Sequence, residues 1–104
     1  MGMSHDFQLR TDPEGVVWLS GELDMSNTDS FLQQTMGSLD GQPTAVLDLS
    51  ALQFVDSTAI RAFLRLASDR AEGVVLRDPR PNVRRVLEVA GIDESMGIRI
   101  DSSS

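Results

Sequence analysis

The sequence predicts an α/β fold: a small mixed β-sheet of four or five strands flanked by helices. Three observations predict it. A period-two hairpin pattern opens the chain around the turn residues Asp12-Pro13-Glu14-Gly15. Apolar runs at 44–49, 74–76 and 98–100 are too short for amphipathic helices and read as strands. Stretches with helical spacing separate those runs. The order is therefore β-β-α-β-α-β-α-β, and strand-helix alternation after a hairpin implies a sheet that is parallel wherever a helix crosses over.

Taken in order, residues 7–10 and 16–23 form the hairpin, with Gly21 a bend or bulge. Ser26-Asn27-Thr28-Asp29 matches a capping box, so a helix should follow, burying Phe31, Leu32, Thr35, Met36 and Leu39 before 40–43 breaks the pattern. The run at 44–49 suits a central strand covered on both faces, and 50–55 reads as the loop after it. A second helix over 58–72 buries Ala59, Ile60, Phe63, Leu64, Ala67 and Ala71. It shows a stripe of Arg61, Arg65, Ser68, Asp69 and Glu72, and Gly73 ends it. A third helix over 82–90 turns Val83, Val86, Leu87 and Ala90 to one face and stops at Gly91. Residues 101–104 read as a frayed tail. With no repeat, linker or low-complexity segment, one domain over 1–104 is expected, with an ordered core at about 6–101.

Composition narrows the function. The 104 residues carry a formal net charge of -7, which opposes non-specific binding to nucleic acid or an anionic membrane surface. Nine acids and only Arg10 lie in residues 1–60, so the acidic half either steers a basic protein partner or is a solvated surface. There is no cysteine, hence no disulfide, thiolate nucleophile or Cys-based zinc site. No apolar run reaches membrane-spanning length, and residues 1–6 do not read as a signal peptide, so a cytoplasmic protein without a membrane span is expected.

Enzyme chemistry finds little support. The single histidine, His5, stands in the terminal segment, away from any nucleophile with helical or strand context. With no lysine there is no phosphate loop of the Walker type. Asp24, Asp48 and Asp56 are hard-oxygen candidates for a divalent metal, but spacing alone does not join them, and Asp48, inside an apolar run, reads as hydrogen-bonded structure. Neither a cofactor nor a metal is expected. The informative break is Asp56-Ser57-Thr58 before the second helix. Ser57 there is either part of a helix cap or a phosphorylation switch, because a helix N-terminus tolerates a phosphate. Asp24 and Asp56 could both approach Ser57 if their strands are neighbours. Arg61 and Arg65, one and two turns on from Ser57, are either an ordinary exposed stripe or part of an interface.

The pieces Gly21-Glu22-Leu23-Asp24, Leu47-Asp48-Leu49-Ser50, Phe54-Val55-Asp56-Ser57-Thr58, Val83-Arg84-Arg85-Val86-Leu87-Glu88 and Ala90-Gly91-Ile92-Asp93 together resemble a STAS domain. That family includes the bacterial anti-sigma factor antagonists and domains of sulfate transporters. The resemblance implies the same mixed sheet flanked by helices, and no enzymatic activity. It implies that Ser57 is the serine of the family's Asp-Ser-Thr-Gly-Leu type motif, phosphorylated by a partner that is both anti-sigma factor and serine kinase, with Asp24 helping to orient it. Unphosphorylated, such a domain binds the kinase and frees a sigma factor; phosphorylated, it releases the kinase. The switch surroundings on this chain are Asp24, Asp56, Thr58, Ala59, Ile60, Arg61 and Arg65. Ala59-Ile60-Arg61 departs from the family's Gly-Leu-Gly and bears on the kinase contact. The competing expectation is a scaffold module, such as a subunit of a lipid-transport or signalling complex, with Ser57 never phosphorylated. The oligomeric state is open between monomer and weak dimer. A small-ligand sensor would need a pocket, of which the pattern gives no sign.

Overall fold

Alternation of buried and exposed side chains builds five strands, β1 (Phe7–Thr11), β2 (Val17–Leu23), β3 (Ala45–Val55), β4 (Val74–Arg77) and β5 (Ile98–Asp101). Between them run three helices, α1 (Thr28–Ser38), α2 (Ser57–Ser68) and α3 (Pro81–Val89), and a short 3-10 turn at Glu94–Met96. This computed structural model describes residues 6–102. His5 and the last two positions of the expected tail lie outside the described residues.

The strands lie side by side in chain order, β1-β2-β3-β4-β5. The first pair is antiparallel and the other three are parallel, as the hairpin and the helical crossovers require. Leu19, Leu23, Leu47, Leu49, Leu52, Leu76 and Ile98 turn to one face and form a single cluster with Phe31, Leu39, Phe63, Leu66, Val83 and Leu87 of the helices. Edge-to-face contacts join Phe7 to Phe31 (6.3 Å) and Phe31 to Phe63 (5.8 Å), tying β1, α1 and α2 together.

Among the described residues no helix packs on the opposite face, which corrects the expectation of a central strand covered on both sides. Arg10, Trp18, Asp48, Arg77 and Asp101 stand in one cross-strand row there. The guanidinium groups of Arg10 and Arg77 lie 4.9 and 5.0 Å from the Trp18 ring centroid. Asp48 is only 3 % exposed because these neighbours cover it. It pairs with Arg77 Nε at 2.8 Å and accepts from Ser50 N and Oγ. Burial opposes its ionisation, but the bonds from Ser50 and Arg77 outweigh that and hold its carboxyl below the usual range. The reading of Asp48 as hydrogen-bonded structure is correct.

Four further expectations change. Residues 50–55 are the second half of β3, not a loop; β3 holds extra residues opposite β2, taken up as register shifts between Trp18 and Ser20 and between Gly21 and Glu22. Gly21 is the bend foreseen: it has φ +90°, and a Cβ would lie 2.3 Å from the carbonyl oxygen of Asp6. Helix α2 stops at Ser68, where the Asp69 N-H closes its last carbonyls, and Ala71 is exposed beyond it. Gly73 instead lets the backbone pass Gly97, whose carbonyl would be 2.2 Å from a Cβ. Asp101 is no frayed tail, since it closes β5 against Arg77. Helix α3 starts with Pro81 in its first turn and ends before Gly91 as expected, yet it buries only Val83 and Leu87, leaving Val86 half-buried and Ala90 exposed.

Candidate functional site

The site is built where β2 and β3 end side by side, Leu23 opposite Val55. The Asp56 N-H donates to Leu23 O at 3.2 Å, which carries the pairing one residue past the strands. Asp56 then turns the chain into α2. Its Oδ1 accepts from Thr58 N (2.9 Å), Thr58 Oγ1 (2.5 Å) and Ala59 N (3.2 Å), so Asp56 is the N-cap of α2. Its Oδ2 accepts from Met25 N at 3.0 Å, a bond that reaches the loop after β2. Burial works against the charge of Asp56, but these donors from Thr58, Ala59 and Met25 prevail and keep its carboxyl below the ordinary carboxylate value.

Ser57 is the first residue of α2 and is exposed. Its hydroxyl makes no hydrogen bond among the described residues, because Asp56 already serves the helix end. The alternatives left open by the sequence therefore divide between neighbours: Asp56 caps, and Ser57 is left for solvent or a partner. Thr58 is drawn inward, bonding Asp56 and accepting from Thr28 Oγ1 at 3.3 Å, which links the first turns of α1 and α2.

Asp24 is brought to the same corner. Its Oδ1 accepts from Ser26 N (2.9 Å) and Ser26 Oγ (2.5 Å), and its neighbours Leu23 and Met25 both bond Asp56. The expected capping box is thereby corrected. Ser26 turns back to Asp24, and the N-cap of α1 is Asn27, whose side chain serves Asp24 N and Glu22 O instead of the helix. Asp24, Asp48 and Asp56 do not gather into a metal site: among the described residues no group of three or more His, Asp or Glu side chains is placed to hold an ion.

Ala59 is fully buried and faces the core, while Ile60 is 7 % exposed and turns its remaining surface to the groove beside α3. Arg61 is exposed between two grooves. One, between α1 and α2, is about 350 Å³ and is lined by Met25, Asp29, Leu32, Thr58 and Arg65. The other, between α2 and α3, is about 450 Å³ and is lined by Ser57, Ile60, Arg85, Val86 and Val89. Arg65 makes a surface ion pair with Asp69 at 3.4 Å. Sequence reasoning missed Met25 and Val89, which are 81 % and 79 % exposed; Val89 lines the groove that holds Ser57, and Met25 lines the one beside Thr58. The available signal was Val89, which falls off the buried stripe of α3.

A mixed sheet with helices on one face and a serine presented at the start of α2 defines the class of the fold. A family model described as "Mlab, STAS domain" matches residues 7–100, and the chain belongs to the STAS domain family. The fold is similar to that of an anti-sigma factor antagonist from Mycobacterium paratuberculosis, with a TM-score of 0.75 and 24% identity over 92% of this chain and 86% of that one. It is also similar to the anti-sigma factor antagonist SpoIIAA in its unphosphorylated form, with a TM-score of 0.70 and 22% identity over 95% and 89% of the two chains. Comparison with curated protein sequences gave no match. Among the described residues, no helix is long and apolar enough to cross a membrane.

Proposed function

We propose that the chain is an anti-sigma factor antagonist of the cytoplasm that binds an anti-sigma factor serine kinase and is released when Ser57 is phosphorylated. The observation that carries this reading is the hydroxyl of Ser57, which is exposed and takes no part in holding the fold. In this reading the domain is the substrate of its partner and has no catalytic task of its own. Phosphate would add roughly 1.5 to 2 negative charges at the start of α2, where the helix dipole favours them. The same charge would meet the partner beside the apolar surface of Met25 and Val89, where desolvation and repulsion oppose binding. Asp24 contributes by shaping the loop that donates Met25 N to Asp56, and so orients Ser57 at second hand.

A second reading is a scaffold subunit in which Ser57 stays unmodified; it is favoured by Ala59-Ile60-Arg61 standing after Thr58 in place of Gly-Leu-Gly. The two separate in one experiment. Wild type, Ser57→Ala and Ser57→Asp are used as baits in native cytosol, with partners and phosphosites read by mass spectrometry. The switch predicts an ATP-binding kinase on the first two, its loss from Ser57→Asp, and phosphate on Ser57. The same non-kinase partner on all three baits, with no phosphate, establishes the scaffold and ends the switch reading.

A further inference from the structure

The groove between α2 and α3 is lined by two arginines, Arg61 and Arg85, together with apolar side chains. Most arginines of this acidic chain are engaged within the fold. Arg65 pairs with Asp69 and Arg84 with Glu88 on their own helices, Arg77 pairs with Asp48, Arg70 donates to Leu39 O and Gln42 O, and Arg80 donates to Ser50 O. Arg61, Arg85 and Arg99 have no ion-pair, hydrogen-bond or ring partner among the described residues, and of these Arg61 and Arg85 line the same groove. Each helix thus neutralises one arginine along its own axis and leaves the one beside the groove unmatched. The same groove has an apolar wall of Ile60, Val86 and Val89, and Val89 is 79 % exposed.

We infer that this groove receives an amphipathic segment of the protein partner, one that sets an aliphatic or aromatic side chain on Ile60, Val86 and Val89 and a carboxylate between Arg61 and Arg85. Charge complementarity selects this occupant. Two unmatched guanidinium groups flanking an apolar surface suit an acidic, apolar segment, and a basic or purely aliphatic one would leave them unpaired in the interface. A volume of about 450 Å³ accommodates a few side chains rather than a whole domain. The inference rests on the reading of Ser57 as part of a partner surface, and it specifies the regulation there. Ser57 lines the same groove, so its phosphate would present an anion to the same two arginines and compete with the partner's carboxylate. Arg61, one of the departures from the family motif, is then a specificity residue.

The test uses the whole chain labelled with nitrogen-15, three probes for the wild type and a Lys-bearing peptide for the charge-reversed variant. These are a helical peptide of about 14 residues with Leu and Glu one turn apart on one face, its Glu→Gln counterpart, and octanoate. Binding is followed by amide shifts. The expected result is that the Glu peptide shifts Ile60, Arg61, Val86 and Val89 and binds about tenfold more tightly than the Gln peptide. Arg61→Glu with Arg85→Glu should abolish that preference and create one for a Lys-bearing peptide, with the remaining amide spectrum unchanged as the check on folding. Ser57→Asp should weaken the Glu peptide about threefold or more. Equal affinity for the Glu and Gln peptides, shifts that map away from α2 and α3, or octanoate binding as tightly as the peptide would overturn the inference. If that happens while a kinase still leaves Ser57→Asp in the pull-down, the groove has failed and the switch has not. If the Glu peptide binds and Ser57→Asp leaves its affinity unchanged, the competition between phosphate and carboxylate is overturned.

Discussion

Replacing Asp56 by Ala removes one carboxylate that does two jobs. Its Oδ1 satisfies two amides and a hydroxyl in the first turn of α2, and loss of such an N-cap costs about 1 to 2 kcal/mol. Its Oδ2 accepts from Met25 N across the sheet end. That amide can turn to water in the variant, so its loss adds about 0.5 to 1 kcal/mol. The sum, about 2 kcal/mol, should lower the melting temperature by about 10 °C in a chain of this size. Urea titration followed by circular dichroism measures it. Asp56→Asn separates the jobs: its amide oxygen can still cap α2, while its NH2 group cannot accept from Met25, so the Met25 amide should exchange faster with solvent while α2 keeps its protection. The pH dependence has a definite sign. The folded carboxyl lies below its ordinary value of 3.8, so its contribution is fully present above the unfolded pKa and is lost as pH falls through the folded one. The gap between wild type and Asp56→Ala should therefore be constant near neutrality and close in acid. A cost below about 0.5 kcal/mol, or a Met25 amide whose exchange ignores Asp56→Asn, would refute the account of Asp56 as the tie between the two segments.

Three other outcomes follow from named contacts. Ser57→Asp should be as stable as wild type or gain about 0.3 to 1 kcal/mol from the helix dipole, so that loss of a partner by this variant, checked against its melting curve, cannot be ascribed to unfolding. Thr35 is fully buried in α1 with a hydroxyl that has no partner among the described residues, and Thr35→Val should raise stability by about 1 kcal/mol in urea titration, since it keeps the shape and removes the unsatisfied oxygen. Gly21→Ala should cost about 2 kcal/mol or more by the same titration, combining the left-handed backbone penalty with the clash against Asp6 O.

The order of elements was legible because short apolar runs and helical spacing alternate cleanly, and the position of Ser57 was legible because a strand breaks into Asp-Ser-Thr before a long helix. What escaped the sequence depended on residues far away in the chain. The bare face of the sheet was hidden because the run from Val46 to Leu49 is apolar but for Asp48, and Asp48 is flanked in the sheet by Trp18 and Arg77, each about 30 residues distant. The length of β3 was hidden because Ser50 and Gln53 look like loop residues, while register shifts against β2 absorb them. Ser26 matched a capping box, yet the competing acceptor on Asp24 won its hydroxyl. The groove was invisible because Val86 and Ala90 share the apolar spacing of Val83 and Leu87, and spacing does not say which half of a stripe a neighbouring helix leaves uncovered.

The strictly sequential order of the sheet bears on how the chain assembles. Each parallel strand pairs with the one before it in the sequence, with paired residues 24 to 32 positions apart. No strand must wait for a later one to be inserted between it and its neighbour, so a nascent chain can lengthen its sheet one crossover at a time, and loop-closure costs stay nearly equal from step to step. At every stage the growing border is the strand most recently added, and the last of these, the four-residue β5, is the natural place for the finished sheet to open first.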